Sequence, residues 1–250
     1  MIPNPLFTFS KNAHTYDRYS MIQQEVFARL CSKIPLRVTD YKTLLDVGCG
    51  TGVHAQTLFE KYPEISYTGL DFSESMIAIA KQNHARGTFL VGDVATFLSS
   101  TSFDLVLSNA TLQWVPHLSQ VLSHMKTMIS PAGHIAISMF GPQTFMELQG
   151  ILNQILGRPK MLASSRFLSS QEVFSLGTAL FPHAQCEQHL IRKVYPNLIS
   201  LLRHIKYTGT NPTTGTWGLW TPRLIREIER AYLTTYRHIV ASYHVFYLVQ

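Results

Sequence analysis

The 250-residue chain reads as an α/β protein built on a parallel sheet. Up to residue 140, short apolar runs alternate with segments of helical periodicity five times, the signature of strands joined by helical crossovers. The first run, Thr43 to Val47, lacks the in-out alternation of a half-exposed strand, as expected for a strand covered on both faces. It opens into Gly48, Gly50 and Gly52 and then a helical pattern through Ala55, Leu58 and Phe59. A strand, a glycine turn and a helix start leave bare backbone facing a ligand at the carboxyl edge of a sheet.

Composition sets the limits. Hydrophobic residues make up 46% of the chain, enough for one large core with room for a modest cap. No apolar run reaches the roughly 20 residues needed to span a bilayer. The first residues lack a basic stretch followed by an apolar one, so no secretory signal is expected, and a cytoplasmic location is. Cys31, Cys49 and Cys186 make neither a metal pattern nor a disulfide framework, and no metal is expected. Charge is uneven: residues 1–150 hold 10 Lys and Arg against 11 Asp and Glu, whereas residues 151–250 hold 11 against 4. A basic field of this kind suits an acidic partner, although a scattered surface excess would look the same in sequence.

In order, residues 10–34 read as one helix with Ser10 at its N-cap and Pro35 as its stop. Strands are expected at 67–70, 89–91, 103–107 and 134–140, helices at 117–129 and 145–156, and a turn at Ser130–Gly133. Ser169 with Glu172 forms a capping box, and 184–195 alternates as a strand. Asn197 opens a helix that Gly209 closes, Thr221-Pro222 starts another, and 239–249 reads as a closing strand.

The spacing of the glycines narrows the ligand. A dinucleotide fold wants G-x-G-x-x-G, with the pyrophosphate on the helix N-terminus. Here the third glycine comes one residue early and Asp46 precedes the turn. Asp71 ends the second strand 19 residues beyond Gly52, close to the roughly 20-residue offset of a ribose-gripping carboxylate. Asp93 ends the third strand, and Asn109 follows the fourth at the switch point. Taken alone, Met76 reads as a core residue before a ligand contact, Tyr16 equally as a packing residue, Asp93 as a solvated turn acid, and His244 as a core histidine before a catalytic one.

The pattern D-x-G-x-G-x-G resembles motif I of the S-adenosylmethionine-dependent methyltransferases. Phe9-Ser10-Lys11-Asn12-Ala13 with Tyr16-Asp17, Ser108-Asn109 with Gln113-Trp114, and Phe140-Gly141-Pro142 with Glu147-Leu148 resemble the malonyl-acyl carrier protein O-methyltransferase family of biotin synthesis. So do Arg166-Phe167-Leu168, Leu202-Arg203-His204-Ile205-Lys206 with Gly209, and Ser242-Tyr243-His244-Val245-Phe246. The departures are Thr210-Asn211, where alanine is common, and the thinly acidic stretch Ser99–Ser102.

The resemblance implies a Rossmann-like, seven-stranded class I methyltransferase sheet with helices on both faces and a helical cap from the C-terminal third. It implies a single domain over 1–250, with a helical lid at 1–40, a cofactor core at 41–142 and a substrate side at 143–250. The implied cofactor is S-adenosyl-L-methionine, held by Tyr16, Asp46, Gly48, Cys49, Gly50, Gly52, Asp71, Phe72, Met76, Asp93, Val94 and Asn109. The implied substrate residues are Gln113, Trp114, Arg166, Arg203, Lys206, Tyr243 and His244, with Tyr16, Arg166 and Lys206 as catalytic candidates. A malonyl carboxylate is already ionised at neutral pH, so no general base is needed. An arginine fork to aim it is the stronger requirement, met first by Arg166 and then by Lys206.

The implied partner is acyl carrier protein, met by a monomer through some of Arg158, Lys160, Arg192, Lys193, Arg203, Arg223, Arg226 and Arg230. Three other functions fit parts of the sequence. One is methylation of another small carboxylate. Another is methylation of RNA, which would want an N-P-P-Y-like loop after the fourth strand rather than Ser108-Asn109-Ala110-Thr111. The third is a methyltransferase-fold assembly factor or hydroxylase. No nucleic acid or membrane partner is expected.

Overall fold

A computed structural model describes residues 5–35, 41–157, 162–208 and 220–250. Its strands are β1 (Thr43–Val47), β2 (Ser66–Asp71), β3 (Thr88–Val91), β4 (Phe103–Asn109), β5 (Ile129–Phe140), β6 (Gln185–Tyr195) and β7 (Ile239–Val249). They form one sheet in the order β3-β2-β1-β4-β5-β7-β6. Strands β1 to β5 pair in parallel, and β7 runs antiparallel between β5 and β6. The chain reverses direction across the sheet between β1 and β4, which places the crevice for a ligand at their carboxyl ends.

Neighbouring residues on a strand point to opposite faces, and here both faces are covered. Leu44, Leu105, Ala136 and Tyr243 pack on one face with α2 (Met21–Lys33), α3 (Ala55–Lys61), α6 (Met146–Leu156), α8 (Leu198–Tyr207) and α9 (Pro222–Tyr236). Leu45, Val106, Ile135 and Phe246 pack on the other with α5 (Leu118–Thr127) and α7 (Ser170–Leu180). Burial on both sides is why these strands read as continuous apolar runs. Between β2 and β3 lies α4 (Glu74–Asn83). Among the described residues, no helix is long and apolar enough to cross a membrane.

Local signals account for several boundaries. Ser169 Oγ accepts from the Glu172 N–H at 3.3 Å while Glu172 Oε2 accepts from the Ser169 N–H at 2.8 Å, so the capping box that opens α7 is complete. Asn197 Oδ1 caps α8 through the Ser200 N–H, and Thr221 Oγ1 caps α9 with Pro222 in the first turn.

Two expectations are corrected. The segment 10–34 is two helices, α1 (Pro5–Tyr19) and α2, broken at Ser20, whose hydroxyl turns back to the Asp17 carbonyl at 3.1 Å. Ser10 is therefore inside α1, and its hydroxyl bonds Ser73 rather than a helix end. Ser130–Gly133 is an irregularity within β5, where pairing with β4 slips from Phe103–Ile129 to Leu105–His134. Gly209, Thr210 and Asn211 lie outside the described residues, as do Arg158 and Lys160.

Helix α6 is fastened to the sheet by a buried carboxylate. Glu147 of α6 is 2% exposed and accepts from the Ser242 N–H of β7 at 2.9 Å and from the Ser242 hydroxyl. Replacement by alanine strands both donors, each a lost bond in a dry site. Glu147→Ala should lower unfolding free energy by roughly 1–3 kcal/mol, read from the urea midpoint. A variant as stable as the parent would show that Glu147 does not fasten α6 to β7.

Candidate active site

The turn after β1 is held against the end of β2. The Gly48 and Cys49 N–H groups both donate to the Leu70 carbonyl, at 2.7 and 3.2 Å, and the Gly50 N–H donates to Asp71 Oδ2 at 3.0 Å. Asp71 Oδ1 accepts from the Ser73 N–H at 2.9 Å, so one carboxylate braces both the glycine turn and the start of α4. Gly48 and Gly50 have φ of +77° and +56°, a conformation costly for any residue with a Cβ. Their surroundings differ. A Cβ on Gly48 would lie 2.2 Å from Thr111 Oγ1, whereas one on Gly50 would meet nothing within 4 Å.

The two acids differ in setting. Asp71 is 9% exposed and burial raises its carboxyl to about 6, against the pull of its two N–H donors. Asp46 sits beneath the turn, 2% exposed, where burial raises it to about 7 although the Tyr67 hydroxyl donates to it at 2.8 Å.

A cavity of about 580 Å³ opens above this turn. Gly48, Asp71, Phe72, Asp93 and Val94 line it, as do Thr111 to Leu118, Gln113 and Trp114 among them, with Gln120 and Val121. Arg166 and Phe167 complete it from a short 3-10 turn, Ala163–Arg166. Eight of the candidate residues therefore meet at one cavity. Arg166 is exposed there and makes no ion pair with any described residue.

Other candidates stand off its wall. Cys49 and Met76 are buried beside the turn and in α4. Gly50 and Gly52 belong to the turn, but a Cβ on Gly52 would meet the His84 ring at 2.9 Å. Asn109 is engaged on every side: its amide nitrogen donates to the Gln23 carbonyl and to His54 Nε2, and its Oδ1 accepts from the Ser138 hydroxyl at 2.6 Å. Burial lowers the His54 imidazole to about 3, so the ring stays a neutral acceptor. The Ser138 oxygen and carbonyl receive the Ala110 N–H, fixing Ala110 at a φ of +51°. Gln113 locks the same loop, donating to the Ala110 carbonyl and accepting from the Phe140 N–H.

On the C-terminal side, Arg203 and Lys206 are exposed on α8 and do not line the cavity. The Lys206 ammonium lies 5.2 Å from the Tyr207 ring centre. Tyr243 is 2% exposed and shares a hydrogen bond with Tyr195. His244 Nε2 donates to Gln188 at 3.1 Å, and its backbone bonds Gly141 and Thr144, so it acts as part of β7.

Helix α1 is tied to the elements beside the cavity, although none of its residues lines it. The Thr51 hydroxyl of the glycine turn donates to Asp17, Ser10 bonds Ser73, and Asn12 donates to the Lys206 carbonyl at 3.0 Å. Phe9 sits between Phe72 and Trp114, at 6.3 and 6.0 Å between ring centres. Burial and the nearby charges of Asp71 and Asp17 raise the Tyr16 hydroxyl, which therefore stays a neutral donor. Phe9, Thr51, Thr111 and Phe167 carry no charge and stand beside motif residues that do the marking, so their part in the site shows only in the folded contacts.

The unequal surroundings of the two glycines predict unequal costs. Gly50→Ala should cost about 1 kcal/mol for the left-handed backbone alone. Gly48→Ala should cost at least about 2 kcal/mol more, since Thr111 must be displaced. Thermal unfolding of the two variants measures the difference, and equal losses would contradict this packing of Thr111.

Comparisons with known proteins show the family and the fold. A family model described as a methyltransferase domain matches residues 39–195. The malonyl-[acyl-carrier protein] O-methyltransferase of Paenibacillus sp. (strain JDR-2) is 31% identical over 252 residues, covering 92% of this chain and 91% of its own. Malonyl-[acyl-carrier protein] O-methyltransferase 1 of Ilyobacter polytropus is 26% identical over 247 residues, covering 96% and 91%. Among solved structures, the YcgJ protein of Bacillus subtilis shares the fold, with a TM-score of 0.58 at 14% identity over 90% of this chain and 97% of its own. The chain belongs to the methyltransferase-domain family and, within it, to the malonyl-[acyl-carrier protein] O-methyltransferases.

Proposed function

We propose that this protein transfers the methyl group of S-adenosylmethionine to the free carboxylate of a malonyl thioester borne by acyl carrier protein or coenzyme A. The observation that carries this reading is a single cavity joining the glycine turn, Asp71 and Asp93 to an arginine with no ion pair among the described residues. The site suits the cofactor: Gly50 offers backbone with open space around it, and acids end β2 and β3 where hydroxyl and amino groups need acceptors. When bound, the cofactor supplies an electrophilic methyl on a sulfonium.

The protein's own part is placement and dryness. Arg166 holds the carboxylate by its two oxygens, because a planar fork matches that geometry. The nucleophile is already charged, so no residue has to remove a proton. Transfer cancels two charges, and Phe9, Phe72, Trp114 and Phe167 favour it by excluding water. Tyr16, kept neutral, serves as a donor over the cofactor side, with α1 acting as the cover of the site. Lys206 contributes through its carbonyl, which holds α1, more than through its ammonium.

An acidic carrier protein finds a matching surface on α9. Arg223, Arg226 and Arg230 share one exposed helix face and make no ion pair with any described residue, whereas Lys193 is paired to Glu25.

The decisive assay follows labelled methyl from the cofactor to malonyl-carrier protein and malonyl-coenzyme A. Arg166→Gln should raise KM for the malonyl substrate at least about tenfold, with cofactor affinity within about twofold of the parent. Absence of label on either substrate, with cofactor bound, would overturn the reading.

Cofactor affinity should also depend on pH. An Asp71 carboxyl titrating at about 6 in the free protein accepts poorly once protonated, so affinity falls as pH falls. From pH 7 to pH 5 the loss should be roughly tenfold for this group, and Asp46, titrating near 7, acts in the same direction. Stability of the free protein runs the opposite way. Both acids bind protons more tightly folded than unfolded, so their contribution declines as pH rises from about 4 to 7. Calorimetric titration across this range checks the first trend. A flat profile would remove Asp71 from the cofactor site.

A further inference from the structure

Strand β6 borders the sheet, and its 11 residues pair with β7 in unbroken register. The backbone bonds show which of its groups are left over. In an antiparallel pair, alternate residues turn both N–H and C=O toward the same neighbour. Gln250, just past β7, exchanges both bonds with Ile135, and the His244 carbonyl accepts from the Gly141 N–H. Even-numbered residues of β7 therefore face β5, and odd-numbered ones face β6. The register pairs odd with odd, as in Tyr243 with Ile191, so the odd residues of β6 are the ones bonded to β7. Cys186, Gln188, Leu190, Arg192 and Val194 turn their backbone outward, where no described residue bonds it.

An edge this long and regular is a template for another strand. Its outward residues are also exposed as side chains: Leu190 is 42% and Val194 65% accessible, and Gln188 and Arg192 are exposed. The strand is, moreover, complementary to its own reverse. A two-fold axis through Leu190 overlaps all of β6 with a second copy. It sets Leu190 against Leu190, Gln188 against Arg192 and Cys186 against Val194. Each is an outward residue meeting an outward residue, so the free N–H groups find free carbonyls. On the opposite face, the same register sets Glu187 against Lys193. Within one chain Lys33 pairs with Glu187 and Glu25 with Lys193, so these four charges alternate in sign across the junction. Moving the axis to Arg192 would set that arginine against itself, and like charges directly opposed are unfavourable.

We propose that β6 is a dimer interface, at which two copies of this chain join edge to edge about Leu190 into one continuous sheet. The contact is isologous, each copy giving the same surface, and it closes after two chains. It replaces the monomer expected from sequence. No residue of β6 lines the large cavity, so the dimer leaves the cofactor site open, and the inference is independent of which acid is methylated.

Sedimentation velocity over roughly 1–200 µM tests the interface, because a single strand edge is a small contact that should dissociate within that range. The parent should move toward twice the chain mass as concentration rises. Leu190→Pro removes an outward N–H that β7 does not use, a place where an edge strand accepts proline. This variant should stay monomeric throughout while S-adenosylmethionine still stabilises it thermally. Gln188→Glu sets a carboxylate opposite Arg192 at two symmetric places and should tighten the dimer about fivefold. A parent that remains monomeric, or a folded Leu190→Pro that associates as the parent does, would overturn the interface. Should Leu190→Pro fail to fold, oxidation of Val194→Cys decides. Opposed residues bonded across the junction stand about 5.5 Å apart at Cα, within reach of a disulfide, so the new thiol should link to Cys186 of the second copy. No link, or a link through another cysteine, would overturn the proposal.

Discussion

The site depends on one joint, the bracing of the turn after β1 by the end of β2. The Leu70 carbonyl takes two N–H groups of that turn and the Asp71 carboxylate takes a third. Left-handed backbone is thereby held open at Gly50, with no side chain to fill the space. The same carboxylate starts α4 through Ser73, and α1 reaches back to both pieces through Ser10 and Asp17. Two strand ends, two helices and a bare loop thus form one unit. A carboxylate partly withdrawn from water in such a place holds its donors firmly and remains sensitive to what approaches it.

A second joint sets the opposite wall. Ser138 of β5 grips Asn109 and Ala110 at the end of β4, and Gln113 ties the following loop to Phe140. These bonds hold Trp114 between Phe9 and Phe167. The wall is aromatic where water must be excluded and polar where the loop is anchored. Asn109 belongs to the anchoring part. Its amide is committed to Gln23, His54 and Ser138.

How far this was legible in the sequence depends on the range of the interaction. β1 and β7 appear at the expected bounds, and the Ser169 and Asn197 caps are present, because caps and buried runs are written in neighbouring residues. The break at Ser20 was hidden, since no glycine or proline marks it and the Asp17 carbonyl supplies the alternative bond. Pro131 and Gly133 suggested a turn, but pairing with β4 draws them into a strand. Asp71 and Asp93 line the cavity, and their positions after strands mark them in the sequence. The fixed partners of Asn109 and His244, namely His54, Gln23, Ser138 and Gln188, lie far away in the chain and leave no local mark. The resemblance placed Lys206 beside Arg166, whereas α8 carries its ammonium to 5.2 Å from the Tyr207 ring centre.

The place of β7 has a consequence for how the molecule is made. It is the seventh strand in chain order yet lies inside the sheet, between β5 and β6. During vectorial synthesis on the ribosome, β6 emerges with no strand to join, and the outer edge of β5 stays bare until residues near 245 arrive. The nascent chain therefore carries two open strand edges through the translation of α8 and α9, with the aggregation hazard that open edges bring. Arg192 and Lys193 near the end of β6 are the sort of charges that discourage a stray strand during that wait.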